Sequence, residues 1–475
     1  MIERRRLPSA TYHSADEAWS RDFFAEQPIC VHPKQHDAAH VARKVASQQI
    51  TGAPFFVMDV PSVLRSVDDW MATLPRFSPH YALRCNADPV LAQLLADQRD
   101  MGFEVTNVYE LQLALELVNP SRIVFTNPLW TRKTMRIAGE ANVGTVVISR
   151  EKELLDAVSY TPDSNILIAV SLGCPIRGES VATTSGCSSD EAEQLIISAF
   201  ELKAKVRGFS FNIDNSDPSI YYKALKEVRR LFDYAVSCGL SPNTVSVGGG
   251  FRCPRGDDKL RFFEVCDSLS GAVEEMFPSE LFPSLRLIAS PGRFFATSAF
   301  SLCTNVVAKK PVDINMPELK NNDSVNSVAF VYQTNDGIYG SFSCRLADCD
   351  PKCRPLNEKE NDGSYHLGTV IGPSLETIDI AQRWFCGRQL SVGEWLLWEN
   401  MGAYSMPLDP DYQAPPVYYY SGKDNWDYIL GKGRSKQSAS FMNESDNNSD
   451  FASDVESISS DEEYDLITRF DSFFD

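Results

Sequence analysis

From about Gly52 onward, short apolar runs alternate with longer stretches of helical period. The runs are Pro54–Asp59, Tyr81–Cys85, Phe103–Thr106, Ile123–Asn127, Thr145–Ser149, Ile166–Ser171, Gly208–Ile213, Val245–Gly248 and Leu285–Ala289. Helix-like segments such as Asp88–Arg99, Val108–Leu117 and Asp190–Lys205 lie between them. Alternation at this spacing predicts a parallel sheet with crossover helices. Eight or so repeats over ~240 residues fit a (β/α)8 barrel. A doubly wound open sheet is the competing arrangement, and periodicity alone leaves it open.

After about Ser298 the rhythm changes. Ser301–Ala308, Ser327–Tyr332, Gly337–Arg345, Thr369–Gly372, Glu394–Trp398 and Pro416–Tyr420 read as strands joined by turn-rich connections. That pattern predicts a second, mostly antiparallel β domain. Pro311–Asn326 is polar and reads as a variable loop. The domain plan is therefore a barrel over 51–297, a β domain over 298–433, and an acidic, disordered tail over 434–475. Near the end, Tyr464–Ile467 and Phe470–Phe474 alternate acids with bulky apolar groups, which fits either a linear docking motif or a solvated terminus. Ser457, Ser459 and Ser460 sit among acids and are candidates for phosphorylation, which would deepen the negative charge.

Composition narrows the function. The chain has 475 residues, 43% of them hydrophobic, enough for two domains with sizeable cores. Its formal net charge is -19, of which the tail carries -8, so no basic surface suits a phosphate backbone and nucleic acid is not an expected partner. No apolar stretch approaches the ~20 residues of a membrane span, and none follows Met1–Arg6 as a secretory signal would. The 12 cysteines show no paired framework and read as reduced thiols of a cytoplasmic protein. Cys344, Cys349 and Cys353 lack a Cys-x-x-Cys pair, so no metal site is expected there. His32, His36 and His40 recur every four residues; with Pro33 in the first turn they read as one face of a surface helix.

Six ordered motifs then carry a resemblance. They are Tyr81-Ala82-Leu83-Arg84-Cys85-Asn86, Val247-Gly248-Gly249-Gly250-Phe251, Ser290-Pro291-Gly292-Arg293, Asn335-Asp336-Gly337-Ile338-Tyr339-Gly340-Ser341-Phe342, Gly372-Pro373-Ser374 and Glu399-Asn400-Met401-Gly402-Ala403-Tyr404. From about Gly52 to Trp426 the chain resembles the eukaryotic ornithine decarboxylases and their inert relatives, the antizyme inhibitors. The resemblance implies an alanine-racemase-like TIM barrel binding pyridoxal phosphate (PLP), with residues 1–50 joining the C-terminal β domain. It also implies a phosphate cradle at Gly248, Gly249 and Gly250, completed by Arg293 and Tyr404; bare glycine amides can approach an anion closely.

The catalytic positions depart from the family. Its PLP-binding lysine is Arg84 here, and a guanidinium keeps its proton and cannot attack an aldehyde. The carboxylate that pairs with the pyridinium nitrogen is replaced by Ser290, and the ring-stacking histidine by Asn212. Glu104 replaces an aspartate, and a barrel arginine aligns near Ala169. The cysteine and aspartate donated across subunits correspond to Leu375 and Glu376, while the substrate-side acid Asp336 is kept. No covalent cofactor is expected, though non-covalent PLP or phosphate could still bind. Arg122, Arg132, Lys133 and Arg136 form a basic patch where the family binds antizyme, against the plainer reading of a solvated helix face.

The resulting expectation is a pseudoenzyme that regulates polyamine synthesis by binding protein: an antizyme-like partner, or an active ornithine decarboxylase subunit. A homodimer is left in doubt. The alternative is a divergent but active decarboxylase of ornithine or another basic amino acid, making putrescine.

Overall fold

The computed structural model describes residues 28–98, 100–172, 186–213, 219–253, 258–313, 328–347, 349–357, 366–374, 376–405 and 414–430. The tail with its docking and phosphorylation candidates, most of 311–326, and Leu375 lie outside them. Strands in chain order are β1 (Cys30–His32), β2 (Phe55–Asp59), β3 (Phe77–Ala82), β4 (Gly102–Val105), β5 (Ile123–Phe125), β6 (Thr145–Ile148), β7 (Asn165–Ala169), β8 (Val206–Ser210) and β9 (Thr244–Ser246). They continue as β10 (Arg286–Ala289), β11 (Phe300–Asp313), β12 (Val328–Thr334), β13 (Cys353–Pro355), β14 (His366–Ile371), β15 (Ile380–Gly387), β16 (Trp395–Trp398) and β17 (Val417–Gly422). The chain divides into two compact units. The first holds Phe55–Leu302 and Glu399–Ser421; the second holds His32–Pro54, Cys303–Trp398 and the chain from Gly422.

In the first unit, β3 to β10 form a closed barrel. Closure excludes the open sheet: β10 pairs in parallel with both β9 and β3, with Leu287 opposite Val245 and Phe77. Inward side chains fill the bore, and Val124, Val147, Leu167 and Ile288 make one buried cluster with Ala169 packed against it. Outside, helices lie against the strands. Ser219–Ser237 buries Tyr221, Ala224, Leu225, Val228, Leu231, Phe232 and Ala235, the i, i+3, i+4, i+7 spacing of an amphipathic helix. The helix Pro89–Ala96 starts where the Asp88 carboxylate accepts from the Val90 and Leu91 amides. The first apolar run is not a barrel strand: β2 pairs in parallel with β17.

Packing behind the barrel mouth fixes two of its loops. Trp70, on the helix Val60–Thr73, meets Phe251 and Phe294 edge-on at 5.0 and 5.3 Å and donates its indole N–H to the Phe77 carbonyl. Those two phenylalanines follow β9 and β10 and anchor the chain just past the glycine run and past Arg293.

The second unit is a mixed sheet. β11 and β12 are antiparallel, β12 and β14 parallel, β14 and β15 antiparallel, and β13 and β16 antiparallel. N-terminal residues join it: the Arg43 guanidinium donates to the Leu356 carbonyl and the Asn335 amide to the Gly52 carbonyl. Of the three N-terminal histidines only His40 is helical, because Asp37 caps its amide and starts the helix at Ala38. The rings nonetheless line up, His32 on His36 at 5.1 Å and His36 on His40 at 4.2 Å.

Gly337–Arg345, expected as a strand, is instead a turn running into a 3-10 helix at Ser341–Ala347. Side chains satisfy its backbone locally. The Gly337 and Ser341 amides donate to the Asp336 carboxylate, and the Ile338 amide donates to Asp379. With its amides taken by carboxylates, the segment has no need of a neighbouring strand. β15, absent from the sequence reading, pairs with β14.

His80 supplies a pH test. It is buried on β3 with Nδ1 at 3.3 Å from the Ser78 carbonyl, and burial lowers its pKa to about 4. An unfolded chain titrates near 6.5, so the neutral ring contributes stability above pH 6.5 that is lost as pH falls through about 4. Asp88 acts oppositely: burial raises it to about 6, so its contribution grows on acidification. The comparison is therefore between proteins. Urea unfolding should show His80→Phe losing less stability than the parent from pH 6.5 to 4.5, by about 2 kcal/mol. Parallel pH profiles would contradict the assignment.

Candidate functional site

The C-terminal ends of the barrel strands gather the side chains singled out by sequence. Arg84 lies in the 3-10 turn Leu83–Cys85 that ends β3, and Glu104 points from β4. Asn212 follows β8, Gly248–Gly250 follow β9, and Ser290 and Arg293 follow β10. Parallel barrels present their reactive positions at this rim.

Glu104 is the hub. One carboxylate oxygen accepts from the Arg84 guanidinium and the other from the Ser290 hydroxyl. The Glu104 side chain is 8% exposed and that of Arg84 33%. Burial works against the Arg84 charge, but the Glu104 carboxylate outweighs it, and the arginine pKa rises. The guanidinium is thus a locked cation rather than a nucleophile, and the serine proton is committed to Glu104.

The glycine run turns sharply, with Gly248 at φ 65° and Gly250 at φ 91°. A Cβ on Gly248 would stand 2.6 Å from the Phe211 carbonyl and 2.7 Å from Asn212 Oδ1, so only glycine fits. The Gly249 amide donates to Asn212 Oδ1 at 3.0 Å. An amide that could face an anion is therefore taken by a neighbouring side chain.

A clamp brings the last motif to the same rim. Tyr81 donates its hydroxyl to the Asn86 carbonyl, and Asn86 donates its amide to the Gly402 carbonyl. Tyr404, in left-handed backbone at φ 57°, donates its N–H to the Cys85 carbonyl at 2.8 Å. The Arg293 guanidinium lies over its ring at 5.3 Å. Burial raises the Tyr404 pKa, while Arg84 and Arg293 pull it down. Arg84, Glu104, Asn212, Ser290, Arg293, Tyr404 and the three glycines thus lie at one end of the barrel, linked through these contacts.

Asp336 and Glu376 belong to the second unit. Asp336 is buried, accepts from two amides of its own turn, and has its pKa raised by burial. Glu376 is exposed. Of the basic patch, Arg132, Lys133 and Arg136 are exposed on the helix Arg132–Glu140, with only loose ion pairs from Arg132 to Asp156 at 3.6 Å and from Arg136 to Glu140 at 3.4 Å. Arg122 turns inward and donates to the carbonyls of Ala96, Gln98 and Met101. The sequence reading missed two relations, Glu104 as a shared acceptor and Asn212 as the partner of Gly249. The first had one signal: with a cation at 84 and no carboxylate at 290, Glu104 is left as the local counter-charge.

The family model for pyridoxal-dependent decarboxylases, pyridoxal binding domain, matches residues 60–297. The chain is 33% identical to the ornithine decarboxylase of Panagrellus redivivus over 390 residues, covering 80% of this chain and 89% of that protein. It is 30% identical to antizyme inhibitor 2 of Xenopus laevis over 380 residues, covering 78% and 82%. Among solved structures, the arginine decarboxylase of Paramecium bursaria Chlorella virus, bound to agmatine, superposes with a TM-score of 0.71 at 24% identity, over 81% of this chain and all of that one. The chain belongs to the ornithine decarboxylase and antizyme inhibitor family of pyridoxal-type barrels.

Glu104→Gln tests the hub. It removes the counter-charge of Arg84 and weakens the acceptor of Ser290. A fully buried pair broken this way costs roughly 3–5 kcal/mol; the one-third exposure of Arg84 reduces the expected loss to about 2 kcal/mol. Urea unfolding at pH 7 measures it, and an unchanged midpoint would remove Glu104 from the centre of the network.

Proposed function

We propose that this member of the family is a non-catalytic regulator of polyamine synthesis in the cytoplasm, acting by binding protein rather than by decarboxylating an amino acid. The observation that carries the reading is the fate of position 84. The side chain there is a guanidinium held by Glu104, not an amine able to attack an aldehyde.

The rest of the rim supports it. PLP, the cofactor the family implies, fits these residues poorly. The Gly249 amide already serves Asn212, Ser290 offers a hydroxyl committed to Glu104 where a carboxylate would be needed, and Arg84 cannot form an imine. No reaction step is therefore assigned to it; weak, non-covalent binding of PLP or phosphate beside Arg293 and Tyr404 remains within the proposal. The similarity to antizyme inhibitor 2 points to antizyme as the partner. Exposed Arg132, Lys133 and Arg136 offer an acidic partner a charged face with little internal neutralisation. A regulatory pairing with an active ornithine decarboxylase subunit is the second protein-binding mode.

The enzymatic reading has one observation in its favour, the 33% identity to an ornithine decarboxylase. Borohydride treatment of the protein with PLP, followed by mass spectrometry and a carbon dioxide release assay with ornithine, separates the two. No pyridoxyl-modified residue and no product are expected, and covalent cofactor with product formation would overturn the proposal. Arg84→Lys alone should stay inactive, since Asn212 and Ser290 are unchanged; restored turnover would show that position 84 is the sole lesion.

For partner binding, the double variant Arg132→Glu/Arg136→Glu should weaken antizyme binding about tenfold and reduce its salt dependence, read by titration calorimetry at two ionic strengths. Equal affinity would place the interface elsewhere.

A further inference from the structure

The turn that leaves Ser341–Ala347 brings two cysteines together. The Cys349 amide donates to the Cys344 carbonyl at 3.1 Å, closing a short loop, and the Cys349 thiol points back to the Ala347 carbonyl at 3.9 Å. Cys344 is 1% exposed, whereas Cys349 is partly open to solvent. A disulfide needs α-carbons within about 7 Å, a separation that a backbone hydrogen bond between the same two residues imposes. The surrounding chain is tied down. Arg345 donates to the Ala381 carbonyl at 3.0 Å and pairs with Asp350 at 3.2 Å, and Asp350 pairs with Lys352 at 2.7 Å.

We propose that Cys344 and Cys349 form a dithiol oxidation site, in which a hydroperoxide converts the pair to an intramolecular disulfide. The unequal exposure assigns the roles. Cys349, reachable from solvent, loses its proton to water and attacks the peroxide. Its sulfur forms a bond to one oxygen, the O–O bond breaks, and the departing hydroxide takes up a proton to leave as water. Cys349 is then a sulfenic acid, oxidised by two electrons. The Cys344 sulfur next attacks that of Cys349; the S–S bond forms, the S–O bond breaks, and the hydroxyl leaves as water with the Cys344 proton. Two thiols and one hydrogen peroxide thus give one disulfide and two waters. The neighbouring Cys349 thiol and burial both raise the Cys344 pKa, consistent with a thiol that stays protonated until its neighbour has reacted. Cys303, buried on β11, and Cys30, exposed on β1, serve as internal references.

The test treats the full chain, reduced beforehand, with hydrogen peroxide, blocks remaining thiols with iodoacetamide in denaturant, and digests with trypsin. Cleavage after Arg345 puts the two cysteines on separate peptides, so their disulfide appears as a cross-linked pair that dithiothreitol resolves. The pair should form about tenfold faster than Cys30 or Cys303 loses its thiol. In Cys344→Ser the sulfenic acid at Cys349 should persist and be trapped by dimedone; Cys349→Ser should protect Cys344 at the same dose. Three outcomes overturn the proposal: a Cys349–Cys353 cross-link, over-oxidation of Cys349 with Cys344 still reduced in the parent protein, or equal rates at all these cysteines.

Discussion

One carboxylate, that of Glu104, sets the character of the barrel mouth. It accepts from a cation on one side and a hydroxyl on the other, and both donors come from neighbouring strands of the closed barrel. A buried carboxylate with neither partner would be costly, and a buried guanidinium without a carboxylate equally so. Each group makes the others tolerable. The arginine at 84 thus does not stand alone: the serine at 290 brings no competing negative charge and supplies a donor that the same glutamate uses.

The same self-sufficiency recurs at the glycine run. Asn212 Oδ1 takes the Gly249 amide, so a donor of the glycine run is satisfied from within the chain. A site whose donors and acceptors already face one another gains little from an added ligand, because each new contact must first break an existing one. A barrel of this kind stands on its packing, with Trp70, Phe251 and Phe294 holding the loops behind the rim.

How much of this was legible in the sequence follows from the range of each interaction. Barrel strands and helices announced themselves because their apolar periods are local. The residues of the rim were legible as motifs, each within a few positions. The shared acceptor was not, since Glu104 and Ser290 are brought together only by closure of β10 onto β3, which no local period encodes. Gly337–Arg345 misled for the opposite reason. Its apolar residues suggest a strand, yet Asp336 and the distant Asp379 capture its amides. Arg122 looked like one member of a surface patch because charge alone does not tell a solvated guanidinium from one capping three carbonyls.

Several motif glycines of this chain are fixed by the space around them. Gly248 has no room for a Cβ beside the Phe211 carbonyl. Gly337 and Gly372 each face the buried Asp379 carboxylate, where a Cβ would lie 2.3 and 2.2 Å from an oxygen. Asp379 in turn accepts from the Ile338 and Ser374 amides and so joins two motifs of the second unit into one turn structure. Those residues are held by backbone geometry and would be needed whatever the chain did. Arg84, Asn212 and Ser290 at the barrel rim instead bond through their side chains to neighbours inside the chain.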